Sequence, residues 1–139
     1  MVDFAKDQAF MDWLRGVILA LVPTVGPVGG AYLTYASPNG ANNDVNPGGG
    51  WPSLAGVPYT TLGVTITGGN ANWTGLLAGT DGQLVLIANQ DTVDTLTLNK
   101  QNAGSAAANR FAFAADLILP PGASAFAMYR ITPARWYLN

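Results

Sequence analysis

The sequence contains no cysteine, no histidine and no glutamate among its 139 residues. Without cysteine a disulfide framework is excluded, and without cysteine and histidine a metal site built on thiolate or imidazole ligands is excluded too. The Ser-His-Asp and Cys-His nucleophilic systems are also excluded, because the general base of both is missing. From these absences we expect no catalytic residue, no cofactor and no metal site.

Charged residues are scarce as well. The chain has six Lys and Arg and eight acidic residues, and charged residues make up 10% of it, against about 25% in a typical globular domain. Six basic residues do not supply the cationic surface that binds phosphates, so we expect no nucleic-acid partner. A surface that is poor in charge and rich in small residues gives low solubility when it is exposed to water. We therefore expect partner proteins to cover much of it.

Long apolar runs are absent. The best run, Val17–Val22, is far shorter than the roughly 20 residues that cross a bilayer, so we expect no membrane partner. The first part of the chain has the apolar stretch of a signal peptide, but its three aspartates outnumber Lys6 and Arg15, whereas the start of a signal peptide is basic. We therefore expect this segment to belong to the mature chain.

Residues 1–23 predict a short N-terminal helix or arm. Apolar residues recur there near helical spacing, and Pro23 ends the segment. Such a segment packs on its own domain or docks on a neighbouring subunit, and both alternatives stay open. If it docks, the candidate partner contacts on its apolar face are Trp13, Leu14, Val17 and Ile18.

Residues 24–58 are rich in Gly, Pro and Asn and contain one predicted strand, Ala31–Ala36. From Ser37 onward the composition predicts a long loop without regular structure, because these residue types favour turns. A loop of this length is usually functional or flexible. Trp51 and Tyr59 would be unusual on a loop that faced only water, so we take both as candidate partner contacts.

Residues 59–139 predict a succession of short strands. Leu96 and Leu98 alternate with threonines, and Asp81-Gly82 is a strong turn signal. About eight strands at roughly ten-residue spacing are typical of an antiparallel β-sandwich or barrel, with the jelly roll as the leading architecture. We expect one globular all-β domain with a short N-terminal helix or arm.

The aspartates offer little chemistry. A glycosidase needs two carboxylates about 5 to 10 Å apart across a cleft, whereas Asp91 and Asp94 lie together at a predicted turn. With Asn89 they could hold a Ca²⁺ ion, but no calcium-loop pattern is present, so we expect them to shape the turn. Trp51, Tyr59 and Trp73 could stack on a sugar, although aromatics in β-domains more often serve the core or an interface. We expect a protein that is not an enzyme.

The second half of the chain resembles a recurrent β-module of tailed-phage virion proteins, found in head cement (decoration) proteins and in fibre tips. The resemblance covers less than half of the chain. The stretches that carry it are Leu76–Asn89, Asp94–Leu98, Ser105–Phe111 and Leu117–Tyr129, followed by Arg135-Trp136.

The resemblance implies a structural protein of the capsid surface, made in the host cytoplasm, that binds the major capsid protein and clamps neighbouring subunits. It also implies self-association as a dimer or a trimer, and we favour the dimer. The alternative is a trimeric tail-fibre or head-fibre tip that binds host-surface carbohydrate. Chain length and the lack of shaft repeats favour the cement protein.

Overall fold

The computed structural model describes residues 8–13, 31–49, 51 and 59–138. Residues 8–13 form a short helix. The strands in chain order are β1 (Ala31–Asn42), β2 (Tyr59–Trp73), β3 (Leu84–Asn89), β4 (Leu96–Leu98), β5 (Leu117–Leu119), β6 (Ser124–Ile131) and β7 (Ala134–Leu138), with a 3₁₀ turn at Ala107–Asn109. The predicted all-β class with a short N-terminal helix is confirmed.

Strand β2 organises the sheet, because its 15 residues pair with three other strands. The strand order is β5-β4-β2-β3-β6-β7, and β1 lies along the opposite side of β2. The first part of β2, Tyr59–Val64, pairs with β3, and its end, Ala71–Trp73, pairs with β4. We call the first parts of β1 and β2, together with β3, β6 and β7, the large half-sheet. The ends of β1 and β2, together with β4 and β5, form the small half-sheet.

The sheet is mixed, whereas the sequence predicted a strictly antiparallel one. β2 runs parallel to β1, β3 and β4, whereas β3–β6, β6–β7 and β4–β5 are antiparallel. Parallel neighbours need a crossover of a dozen or more residues, and the segment 43–58 between β1 and β2 is long enough to provide one. Ser37–Asn42, predicted as loop, continues β1, because pairing with β2 outweighs the turn preference of these residues.

The sheet bends where β1 and β2 change register together. Gly68 and Gly69 have φ values of +85° and +121°, which only glycine adopts readily, and the register of β1 shifts between Pro38 and Gly40. The side-chain amide of Asn39 donates to the Gly68 carbonyl oxygen at 2.8 Å and ties the two bends together. The curled sheet thus places its two halves on opposite sides of one core.

The core is filled by side chains of both half-sheets. The large half-sheet contributes Leu62 and Ile87, the small half-sheet contributes Trp73 and Leu98, and all four are fully buried. The Trp73 indole N–H donates to Ser37 Oγ at 2.9 Å. Within the described residues no buried side-chain nitrogen or oxygen lacks a hydrogen-bond partner, as expected where an unpaired polar group would cost about 1–3 kcal/mol.

Neutral polar side chains fasten the connections at one end of the sheet. Ser105 Oγ accepts the Asp44 N–H at 2.8 Å and lies 2.7 Å from Thr74 Oγ1. The Asn109 amide donates to Asp44 Oδ1 at 2.7 Å, and this bond is the main reason that the pKa of Asp44 is lowered. Gly75 lies inside this cluster, where a Cβ would come within 2.6 Å of the Asn109 carbonyl oxygen.

We predict that Gly75→Ala lowers the free energy of unfolding by about 1–3 kcal/mol, because the added methyl group overpacks rigid backbone. Chemical denaturation measures the change. Gly82→Asn is the matched control, because it also adds a side chain at a glycine. A Cβ at Gly82 meets nothing within 4 Å, and asparagine tolerates the φ of +79° at this position. An equal loss in both variants would contradict the steric explanation.

The turn between β3 and β4 is built by side-chain hydrogen bonds of Asn89 and Asp91, as predicted for Asp91, whereas Asp94 takes part only through its backbone N–H and carbonyl oxygen. The buried Asn89 amide donates to the carbonyl oxygens of Asp94 and Leu119, both at 2.9 Å. Asp91 accepts the backbone N–H groups of Asp94, Val93 and Ile66 at 2.8 to 3.0 Å. These bonds, led by that of Asp94, lower the pKa of the Asp91 carboxyl to about 2.

We predict that this turn makes the fold acid-sensitive. The pKa of Asp91 is about 2 in the folded chain and roughly 3.9 in the unfolded chain, so its contribution is present above pH ~4 and is lost as the pH falls towards 2. Asp91→Asn lowers stability near neutral pH and flattens the acid limb of a stability-versus-pH curve. Asp94→Asn is the control, because within the described chain the Asp94 carboxylate accepts none of these bonds.

Candidate interaction surface

The large half-sheet has an outer face that is unusually apolar. In β3, Val85 and Ile87 are buried in the core, and the alternation of a strand therefore turns Leu84 and Leu86 outward, where they are half-buried. Strand β6 repeats the pattern, with Ala127 buried on the inner side. Both faces of this half-sheet therefore carry large hydrophobic side chains.

Strand register aligns the outward side chains in rows. One row crosses β1, β2, β3 and β6 with Tyr32, Thr61, Leu86 and Phe126. The adjacent row crosses β2, β3, β6 and β7 with Tyr59, Leu84, Met128 and Tyr137. Tyr32 is 55% exposed and Phe126 is 46% exposed. We call these two rows the apolar face.

The apolar face carries no charged side chain. The next row carries charged side chains, because Arg130 of β6 lies opposite Arg135 of β7. Arg130 is engaged by Asp81 at 3.2 Å, and the pKa of Asp81 is lowered first by the Ile131 N–H and then by Arg130. A partner for the apolar face therefore needs hydrophobic surface rather than a complementary charge.

The small half-sheet provides an internal comparison, because its outer face is polar. The equivalent row across β1, β2, β4 and β5 consists of Ala41, Asn72, Thr97 and Ile118. Of these four only Ile118, 63% exposed, is a large hydrophobic residue. One strand length away, the outer face of the same sheet is thus mostly polar, with a single large hydrophobic side chain in this row.

Tyr32 is held over the apolar face by a local device. Its hydroxyl donates to Gln90 Oε1 at 2.8 Å, and both groups occupy the space that a Cβ at Gly63 would fill. Because Gly63 has no side chain, the tyrosine can reach across β2. The absence of a side chain at Gly63 thus leaves room for an aromatic ring on the outer face.

The described helix adds a second exposed apolar group. Phe10 and Trp13 lie three residues apart on one side of it, with ring centroids 6.0 Å apart, and Trp13 is 62% exposed. Gln8 donates to Asp12 at 2.9 Å on the polar side. Phe10 belongs with Trp13 by this spacing, although the sequence pattern alone did not single it out.

The predicted contact residues separate into three groups. Trp13 and Tyr59 are exposed. Trp51 is 7% exposed: its ring stacks on Trp136 at 5.7 Å and its N–H donates to the Leu77 carbonyl oxygen. The expectation that Trp51 is a partner contact is therefore corrected, because this chain covers the ring itself. The remaining predicted contacts, which lie outside the described residues, are Leu14, Val17 and Ile18.

Sequence reasoning missed most of the apolar face. The continuous apolar run of β3 predicts a strand buried on both sides, whereas Leu84 and Leu86 are only half-buried. In β6 the signal was visible, because Phe126 and Met128 alternate with residues of the inner face. The sequence could not show that Tyr32 shares a face with Phe126 and Met128, because alternation identifies the two faces of a strand but not the strands that pair with it.

Among residues 8–13, 31–49, 51 and 59–138, no three or more histidine, cysteine or acidic residues lie close enough together to hold a metal ion. No described helix has the length and hydrophobicity needed to cross a membrane. Comparison with protein-family models, curated proteins and solved structures found no match to this chain.

We predict that the two tryptophans named as contacts differ sharply in their effect on stability. Trp51→Ala lowers the free energy of unfolding by about 3–5 kcal/mol, because it empties a buried site beside Trp136. Trp13→Ala, the matched control, leaves it within about 0.5 kcal/mol, because its ring is exposed. Urea denaturation measures both, and a small effect at Trp51 would return that residue to the set of partner contacts.

Proposed function

We propose that this chain is a structural, non-enzymatic virion protein that binds the outside of a phage head and clamps neighbouring major capsid subunits. The observation that carries the proposal is the apolar face, an uncharged surface of hydrophobic and tyrosine side chains on the large half-sheet. Exposed patches of this kind mark interaction sites in soluble proteins. The resemblance of the second half of the chain to cement-protein modules is the reason for proposing the major capsid protein as the partner.

The apolar face is smaller than one side of a standard protein–protein contact. Its two rows span five strands about 4.8 Å apart and lie two residues apart along each strand, which gives about 20 Å by 13 Å, or roughly 250 Å² in projection. A standard interface buries about 800 Å² per partner. The face therefore needs additional contacts, and the exposed pair Phe10 and Trp13 on the N-terminal helix is suited to supply them.

Such a surface stabilises a shell by linkage. A protein that binds only the assembled form shifts the equilibrium towards that form by mass action. Many copies repeat the same contact over a capsid, so a modest affinity at each site is sufficient. The two halves of the curled sheet share one core, and we expect this close packing to keep the shape of the apolar face fixed while it contacts two neighbouring subunits.

A specific observation also favours the alternative, a fibre tip that binds host-surface carbohydrate. Tyr32, Tyr59 and Tyr137 lie on the apolar face, and tyrosine rings can pack against the flat faces of sugars. The buried Trp51 and Trp73 cannot take this role, although the sequence suggested both. This alternative requires that glycans compete for the same face.

We predict that Phe126→Asp weakens binding to heads assembled from the major capsid protein of the same phage. A carboxylate on the apolar face would have to be buried without a partner in the complex. Co-sedimentation of the full chain with purified heads measures binding, and we expect a loss of at least roughly tenfold in affinity. Ile118→Asp, on the polar outer face of the small half-sheet, is the control and binds like the unmodified protein.

Unfolding curves of the two variants check that each retains its fold, since both side chains are exposed. Equal binding by both variants would contradict the assignment of the apolar face. Failure of the unmodified chain to bind heads, together with Phe126-dependent binding to a glycan array, would replace the cement function by the fibre-tip function.

A further inference from the structure

The long strand β1 lies at the edge of the sheet. It pairs with β2 on one side, and within the described chain Ala31–Ala36 makes no backbone hydrogen bond on the other. A strand edge of this kind is a template for pairing with another strand. Natural edges are usually blunted by charge, proline or bulges, and residues 31–37 have none of these.

The remaining edges of the sheet are closed or short. Along β7, the Ala112 N–H donates to the Trp136 carbonyl oxygen at 2.7 Å, and the Trp136 N–H donates to the Arg110 carbonyl oxygen at 3.1 Å. Strand β5 has only three residues. β1 therefore provides the extended edge of the described sheet.

The second part of β1 is capped by its own side chains. The Asn42 amide donates to the carbonyl oxygens of Pro38 and Gly40 at 2.9 and 3.0 Å. Pro38 has no N–H to offer. The edge that remains for pairing is residues 31–37, which we call the open edge.

We propose that the open edge of β1 pairs antiparallel with the open edge of a second copy of this chain, about a two-fold axis at Thr34. Thr34 is the midpoint of residues 31–37, so this register pairs the whole open edge. A shift by one residue would set outer side chains of one copy against inner side chains of the other. A two-fold axis is also the commonest symmetry of homo-oligomers.

The side chains of the open edge are complementary to themselves in this register. Leu33 of one copy faces Tyr35 of the other, both half-buried in the single chain, and Tyr32 faces Ala36. Aromatic and aliphatic residues opposite each other stabilise strand pairs. The open edge is uncharged, so two identical edges meet without repulsion, and this favours a second copy over a partner selected by charge.

The pairing would join two apolar faces into one continuous surface with a two-fold axis. The outward residues of β1, Tyr32 and Thr34, share the face of Leu86 and Phe126. The inference goes beyond the proposed function and does not depend on it, because self-association is measured with the isolated chain.

The test uses the absence of cysteine from the chain. Directly opposite residues in an antiparallel pair have Cα atoms about 4.5–5.5 Å apart, within disulfide range. Thr34→Cys should therefore give a covalent dimer under mild oxidation. Thr65→Cys, which is also exposed but lies one strand further in, is the matched control. Thr65 pairs with Ala36, so its two copies would be three strand spacings apart across the sheet and about four residues apart along it, or about 20 Å in all.

A charge-pair experiment tests the same contact without covalent chemistry. Thr34→Lys should raise the dimer dissociation constant by roughly tenfold or more in sedimentation equilibrium, because two ammonium groups meet at the axis. Mixing Thr34→Lys with Thr34→Glu should restore a mixed dimer, whereas Thr65→Lys should not alter the dimer.

A monomer at all concentrations would overturn the proposal, and so would a dimer that forms disulfides equally at Thr34 and Thr65. If the isolated chain is monomeric but Thr34→Lys prevents head binding, the open edge belongs to a capsid strand instead of a second copy. A dimer that does not bind heads would uphold this inference and refute the proposed function, so the two failures are distinguishable.

Discussion

The architecture depends on one strand that hydrogen-bonds to three others. β2 carries β1 along one side, and on its other side it pairs first with β3 and then with β4. This double use requires a bend, which the positive φ angles at Gly68 and Gly69 provide. The positions of the core, the apolar face and the open edge all depend on which strand pairs with each part of β2.

A chain with so few charges uses amides and hydroxyls where other proteins use ion pairs. Asn89 ties the β3–β4 turn to β5, and Ser105 joins the connection after β1 to the one after β2. These neutral groups are cheaper to bury than ions because less hydration is lost. Described charges such as Arg130 and Asp81 lie at the border of the apolar face, which leaves its centre free for hydrophobic contact.

Local features of the fold could be predicted from the sequence, and its long-range pairing could not. Alternation and turn residues identified β4, the Asp81-Gly82 turn and the turn at Asp91, because each depends on neighbours in the chain. The parallel pairing of β1 with β2 depends on residues far apart in sequence, and alternation carries no information about it. For the same reason Trp51 was assigned to the surface, since its position is set by the distant Trp136.

The bifurcated pairing of β2 has a consequence for how the molecule comes apart. Neither half-sheet can peel away without breaking ladder bonds of a strand that also belongs to the other half. Melting should therefore be all-or-none, with the amides of β2 among the slowest to exchange with solvent. We therefore expect partly unfolded forms to be rare. Such forms would expose the hydrophobic side chains on both faces of the large half-sheet at once and would be prone to aggregate.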